Sequence, residues 1–114
     1  MLFRSSRRES FGVVLAEALA CGTPVVATDC GGPADIVTDE VGALVPLEDP
    51  EALAAGIERV LDRTGEYDPA KLRAYALDRF GARRVGARIV ELYREALERR
   101  TRRPEPLLAL AAAN

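Results

Sequence analysis

Apolar and polar positions change rhythm twice along this chain, and the changes divide it. Leu2-Phe3 is a short apolar stub that reads as the tail of a strand, and it runs into a polar stretch from Arg4 to Ser10. From Phe11 to Cys21 every residue is apolar or glycine except Glu17, and the run closes at Gly22-Thr23-Pro24, a helix stop followed by a residue that cannot continue it. The pattern predicts a helix from about Phe11 to about Cys21, capped by Ser10. Pro24-Val25-Val26-Ala27-Thr28 is a β-branched apolar run between turn residues, the mark of a parallel strand buried on both faces. Asp29 to Pro33 predicts a loop, Ala34 to Val37 one helical turn opening at Pro33, and Gly42 to Pro46 a third short strand. Strand, helix, strand, short helix, strand is the alternation of a doubly wound sheet.

After Glu48-Asp49-Pro50 the rhythm becomes helical, with helices expected from Glu51 to about Arg63, Pro69 to about Phe80 and Ala82 to Arg100, and no strand pattern follows. In the last of these, Val85, Ile89, Leu92, Tyr93, Ala96 and Leu97 form one apolar stripe at spacings of four and three. Glu95 with Arg99, and Glu98 with Arg102, are spaced as i,i+4 ion pairs. The pattern predicts one domain over residues 1–102 and a flexible tail over 103–114.

Composition narrows the function classes. The 114 residues carry a net charge of −2, which excludes a wholly basic domain built for nucleic acid, and no run approaches the roughly 20 apolar residues of a membrane helix. Charge is uneven: residues 79–103 hold nine Arg and three Glu, whereas residues 9–78 hold four basic and fourteen acidic groups. The basic final helix fits a peripheral membrane contact or a partner, but the favoured reading is a solvated, ion-paired face. The first residues lack the apolar core of a secretory signal, so the expected location is cytoplasmic. With no histidine and only Cys21 and Cys30, zinc sites, Cys/His nucleophiles and histidine bases are not expected, and both thiols read as small buried side chains.

The chemistry-bearing segment is Glu9-Ser10-Phe11-Gly12-Val13-Val14-Leu15-Ala16-Glu17, which spans a loop-to-helix junction. The first amides of a helix have no internal acceptor and sit at the positive end of its dipole, so Phe11, Gly12 and Val13 can receive phosphate oxygens. Gly12 allows close approach to the backbone. In an open parallel sheet ligands bind outside the carboxyl ends of the strands, where the Leu2-Phe3 strand delivers this junction. Glu17 is the lone charge of an otherwise apolar helix, which is expected to be buried and to need a partner such as ribose hydroxyls. Eight residues of helical rise would set Glu9 and Glu17 at most ~12 Å apart, enough to bracket one extended ligand. On spacing alone a second reading stands beside this one, with Glu17 on a solvent strip and Glu9 complementing the helix dipole.

Ser6-Arg7-Arg8-Glu9-Ser10-Phe11-Gly12, Glu17-Ala18-Leu19-Ala20-Cys21-Gly22-Thr23-Pro24-Val25-Val26-Ala27-Thr28 and Gly31-Gly32 closely resemble, in that order, the donor-domain signature of glycosyltransferase family 4. The likeness includes its pair of glutamates eight residues apart, continues through Gly42 to Val45, Asp49 to Ala54 and the helix from Phe80 to Tyr93, and covers roughly residues 2–97. It implies an α/β fold: a partial Rossmann-like GT-B carboxyl-terminal domain, with about three short parallel strands followed by carboxyl-terminal helices. It further implies a nucleotide-diphosphate sugar (UDP-, GDP- or ADP-sugar) as donor substrate, retention of anomeric configuration, and neither cofactor nor metal for the transfer. Glu9 would face the donor hexose as the catalytic carboxylate. Ser10, Phe11, Gly12 and Val13 would hold the diphosphate or sugar, and Glu17 the ribose hydroxyls.

Ser5 stands where the family usually has proline and Asp35 where it commonly has glutamate. The acceptor domain and the opening strands of the donor domain, with their diphosphate-binding Arg and Lys, have no counterpart here, and the sole lysine, Lys71, falls in a late helix. The expectation is therefore a carboxyl-terminal fragment of a glycosyltransferase with an exposed sheet edge prone to homo-oligomerisation. The alternative is a non-catalytic fragment or partner subunit that completes a split donor site in another chain. A nucleotide-sugar epimerase of the same fold is a further reading, and the glutamate spacing and Gly22 to Thr28 favour the transferase.

Overall fold

The computed structural model describes residues 1–102; the tail expected over 103–114 lies outside the described residues. Two compact units are present, one over Met1–Gly81 and one that begins at Ala82.

The first unit is built on three parallel strands, β1 (Leu2–Arg4), β2 (Val25–Thr28) and β3 (Gly42–Val45), in the order β1-β2-β3. Leu2 lies beside Val25, and Val25 beside Gly42, so the carboxyl ends of all three strands meet at one edge. Both faces of the sheet are covered by helices, the α/β architecture expected, and all four β2 residues are buried, as their unbroken apolar run requires. Alternation of side chains splits the core in two. Val25 and Ala27 pack with Leu15, Leu19, Ile36, Leu72 and Ala76 on one face, under α1 (Val13–Ala20) and α3 (Pro69–Phe80). On the other face Val26, Ala43 and Val45 pack with Val60 of α2 (Pro50–Asp62). A single 3₁₀ turn, Gly32–Asp35, connects β2 to β3 where a helical turn was expected two residues later, over Ala34 to Val37.

Sequence signals explain where the helices stop and start. Past α1, the Thr23 amide donates to the Ala18 carbonyl at 2.9 Å and the Gly22 amide to Leu19 at 2.8 Å, the double bond of a Schellman cap with Gly22 left-handed. Arg73 of α3 adds a bond from Nη1 to the Ala20 carbonyl at 3.1 Å, tying the two helices together. Asp49 and Asp68 each cap a helix that opens with proline, accepting from the Ala52 and Ala70 amides at 2.8 Å.

Several expectations need correction. The helix predicted from Phe11 begins at Val13, its N-cap is Gly12 at φ +92°, and Ser10 makes no capping bond. A left-handed residue at position 12 breaks the helical path, so the two residues before it belong to the loop. Glu17 is exposed, because only Leu15 and Leu19 of α1 turn into the core while Val13 and Val14 face outward. Cys21 is likewise exposed and Cys30 half-buried; Cys21 ends α1 at its surface turn.

The second unit carries α4 (Ala82–Arg102), the long helix predicted, with its stripe of Val85, Ile89, Leu92, Tyr93, Ala96 and Leu97. Glu95 pairs not with Arg99 but with Arg88, whose Nη1 lies 2.6 Å from Glu91 and 3.8 Å from Glu95. Three- and seven-residue spacings bring these side chains onto one face as well as a spacing of four does. The Glu98/Arg102 spacing involves a side chain outside those described.

Candidate functional site

The loop between β1 and α1 is fixed at the carboxyl edge of the sheet by two sets of bonds. Thr28, the last residue of β2 and 6% exposed, donates its hydroxyl to the Ser6 carbonyl at 2.7 Å and accepts from the Ser6 amide at 3.0 Å. Further along, Glu9 pairs with Gly31 as an isolated parallel bridge: the Gly32 amide donates to the Glu9 carbonyl at 2.9 Å, and the Glu9 amide to Cys30 at 3.5 Å. A Cβ on Gly32 would lie 2.3 Å from the Phe11 Cα and 2.4 Å from its nitrogen, so only glycine lets the two loops touch. The paired segments Glu9-to-Gly12 and Gly31-Gly32, far apart in sequence, are thus one structural unit.

Gly12 is buried in that unit, and a Cβ there would stand 3.1 Å from Leu15 Cδ1. Its φ of +92° turns the chain into α1, with the Leu15 amide donating to the Gly12 carbonyl at 2.9 Å. No side chain caps this end. The first α1 amides, including that of Val13, therefore have no acceptor from the helix, and the Gly12 turn that precedes them is fixed from both sides.

Glu9 is partly sheltered, its side chain 22% exposed, and its Oε2 lies 2.8 Å from Nη2 of Arg4, the last residue of β1. Arg8, Glu9, Ser10 and Cys30 line a depression of about 330 Å³. Phe11 meets Phe80 edge to face at 5.5 Å between ring centres. Phe11, Val13, Glu17 and Phe80 belong to a second depression of about 250 Å³, between α1 and α3. Sequence reasoning places Glu9, Ser10, Phe11, Gly12 and Val13 together at the carboxyl edge, and so does the structure. Glu9 and Glu17 line separate depressions, so the two carboxylates are not gathered in one cavity among the described residues.

Three features escaped sequence reasoning. Arg4 reads as the first residue of a polar loop, yet it ends β1 and binds Glu9. Thr28 reads as a strand terminus, and the signal it gives is a hydroxyl closing an otherwise apolar buried strand. A larger cavity of about 580 Å³ lies at the same carboxyl edge, lined by Ser5, Ser6, Thr28 and the segment Leu47-Glu48-Asp49-Pro50, with Arg7 and Glu48 paired at 3.2 Å.

An open parallel sheet with its fixed glycine loops at the carboxyl edge defines the class: the solved structures similar to this fold are GT-B glycosyltransferases. The family model for glycosyl transferases group 1 matches residues 1–78, and the chain belongs to that family. It is 43% identical over 101 residues to a D-inositol 3-phosphate glycosyltransferase of Thermobispora bispora, covering 82% of this chain and 22% of that protein. It is 34% identical over 93 residues to a glycosyltransferase of Methanocaldococcus jannaschii, covering 79% of this chain and 24% of the relative. Among solved structures, the sucrose-phosphate synthase of Thermosynechococcus elongatus matches 85% of this chain and 25% of its own, with a TM-score of 0.72 and 33% identity. HepE of Anabaena, solved in complex with UDP, matches 82% of this chain and 27% of its own, with a TM-score of 0.71 and 29% identity. The chain therefore spans about a quarter of the length of the proteins it matches.

Proposed function

We propose that this chain forms part of the donor-binding domain of a retaining glycosyltransferase of family 4, and that it takes a nucleotide-diphosphate sugar. The observation that carries the reading is the Glu9-to-Val13 turn locked onto Gly31-Gly32, which offers free helix amides beside a carboxylate at the carboxyl edge of a parallel sheet. That a similar fold is solved with UDP supports the nucleotide half of the reading, and that the same protein is also solved with UDP and glucose supports the sugar half.

Glu9 faces the hexose and supports the transition state through its carboxylate. The amides around Phe11, Gly12 and Val13 hold the diphosphate, Ser10 lies beside the sugar, and Glu17, exposed and without an ion-pair partner among the described residues, receives the ribose hydroxyls. Diphosphate at a helix N-terminus exploits unsatisfied amides and the dipole together.

Titration of the chain with UDP, GDP and ADP separately, followed by amide chemical shifts, tests this. Selective shifts are expected at Phe11, Gly12, Val13 and Glu17 for one base, and Glu17→Ala removes them. Unchanged spectra at millimolar nucleotide in a folded sample refute the reading for this chain.

A further inference from the structure

We infer that Arg4 is a positioning residue for Glu9, holding its carboxylate aimed so that it accepts hydrogen bonds from sugar hydroxyls. The inference rests on the role proposed above for Glu9. Its own ground is the pair itself: Nη2 to Oε2 at 2.8 Å, with side chains 40% and 22% exposed, the most sheltered ion pair among the described residues. The nearby Arg7–Glu48 pair, at 86% and 68%, is open to water and screened accordingly.

Arg4 is an unusual residue for its place. It ends a strand whose partner position in β2 is Ala27, inside the core, and its Nε is buried with no hydrogen-bond partner. A buried donor without an acceptor is a cost that an aliphatic side chain at the strand end would avoid. Among the described residues the polar contact that offsets this cost is the ion pair with Glu9, so the guanidinium is explained by what it does to that carboxylate.

What it does follows from the chemistry of the pair. An ion pair to Oε2 restricts the Glu9 rotamer, and a carboxylate is an acceptor only. Oε1 and the remaining lone pairs of Oε2 are then left for O–H donors, the groups a hexose presents. The nucleotide part of the ligand, bound through backbone amides, does not feel Arg4. The prediction is therefore a split: loss of Arg4 weakens the sugar's contribution and leaves the nucleotide's intact.

Calorimetric titration of the chain with UDP and with UDP-glucose, on the native protein, Arg4→Gln, Arg4→Lys and Glu9→Gln, reads this directly. In the native chain UDP-glucose is expected to bind more tightly than UDP. In Arg4→Gln that advantage should fall about three- to tenfold, the scale of one partly sheltered ion pair, while UDP affinity stays within about twofold. Arg4→Lys, which keeps a charged donor, should recover most of it, and Arg4→Gln added to Glu9→Gln should change nothing further. A retained advantage in Arg4→Gln, or equal native binding of the two compounds, overturns the role of Arg4 while the nucleotide site stands. Failure of the native chain to bind UDP, GDP, ADP or their glucose conjugates overturns the proposed function and this inference with it. If Arg4→Gln does not fold, Arg4→Leu, which removes the orphaned nitrogen, is measured in its place; if neither folds, Arg4 is a structural anchor and the inference falls.

Discussion

At the scale of single residues the site depends on two small side chains. Thr28 satisfies both backbone groups of Ser6, and replacing it with the near-isosteric valine leaves that amide and carbonyl without their partner. Thr28→Val is expected to lower stability by about 1–3 kcal/mol, read as a shift in the urea midpoint at constant slope. At Gly32 an added methyl meets the backbone of Phe11, which cannot rotate away as a side chain would. Gly32→Ala is expected to cost about 1–3 kcal/mol by the same measurement and to abolish the nucleotide-dependent shifts at Phe11 and Gly12. Both residues stand in the recognisable series, but the bonds of Thr28 to Ser6 were not legible. Nothing in a hydroxyl at the end of a strand says which of several neighbouring carbonyls it will find, and Arg4 was missed for the same reason, since pairing across a loop has no fixed spacing.

Among the elements, legibility tracked how local the determining physics is. The α3 bounds were readable to the residue, because Asp68-Pro69 sets its start by side-chain capping and Gly81 follows its end. The start of α1 was not, because it is decided by a left-handed Gly12 packed over Leu15 and by a loop anchored to a distant glycine pair. Burial of Glu17 was misjudged on similar grounds: an apolar sequence shows that a helix can be buried, and only the arrangement of its neighbours shows which sides are covered. Asp49 offers a local test. Asp49→Ala removes the cap of α2 and should cost about 1 kcal/mol, lowering the melting temperature by about 4–8 °C, measured by circular dichroism.

For the molecule as a whole, the three parallel strands and the burial of β2 on both faces were legible from the alternation of apolar runs and turn residues, whereas the strand order came from the structure. The exposure of the sheet edge was legible only as a hazard. β1 is an outer strand, and Phe3 at its centre is 55% exposed on the face that α2 does not reach as far as. Unpaired strand groups beside an apolar side chain favour edge-to-edge association. The apparent mass by light scattering is expected to rise with concentration, and Phe3→Lys should hold the chain monomeric over the same range. No helix among the described residues is long and apolar enough to cross a membrane.

The reciprocal bonds between Thr28 and Ser6 carry one more implication. A loop tethered by its backbone to the central strand has surrendered its freedom during folding, so the ligand proposed for the Glu9-to-Val13 turn would meet a surface already shaped and would not have to order it. For the proposed donor site this means recognition by fit to a template that is rigid before the ligand arrives.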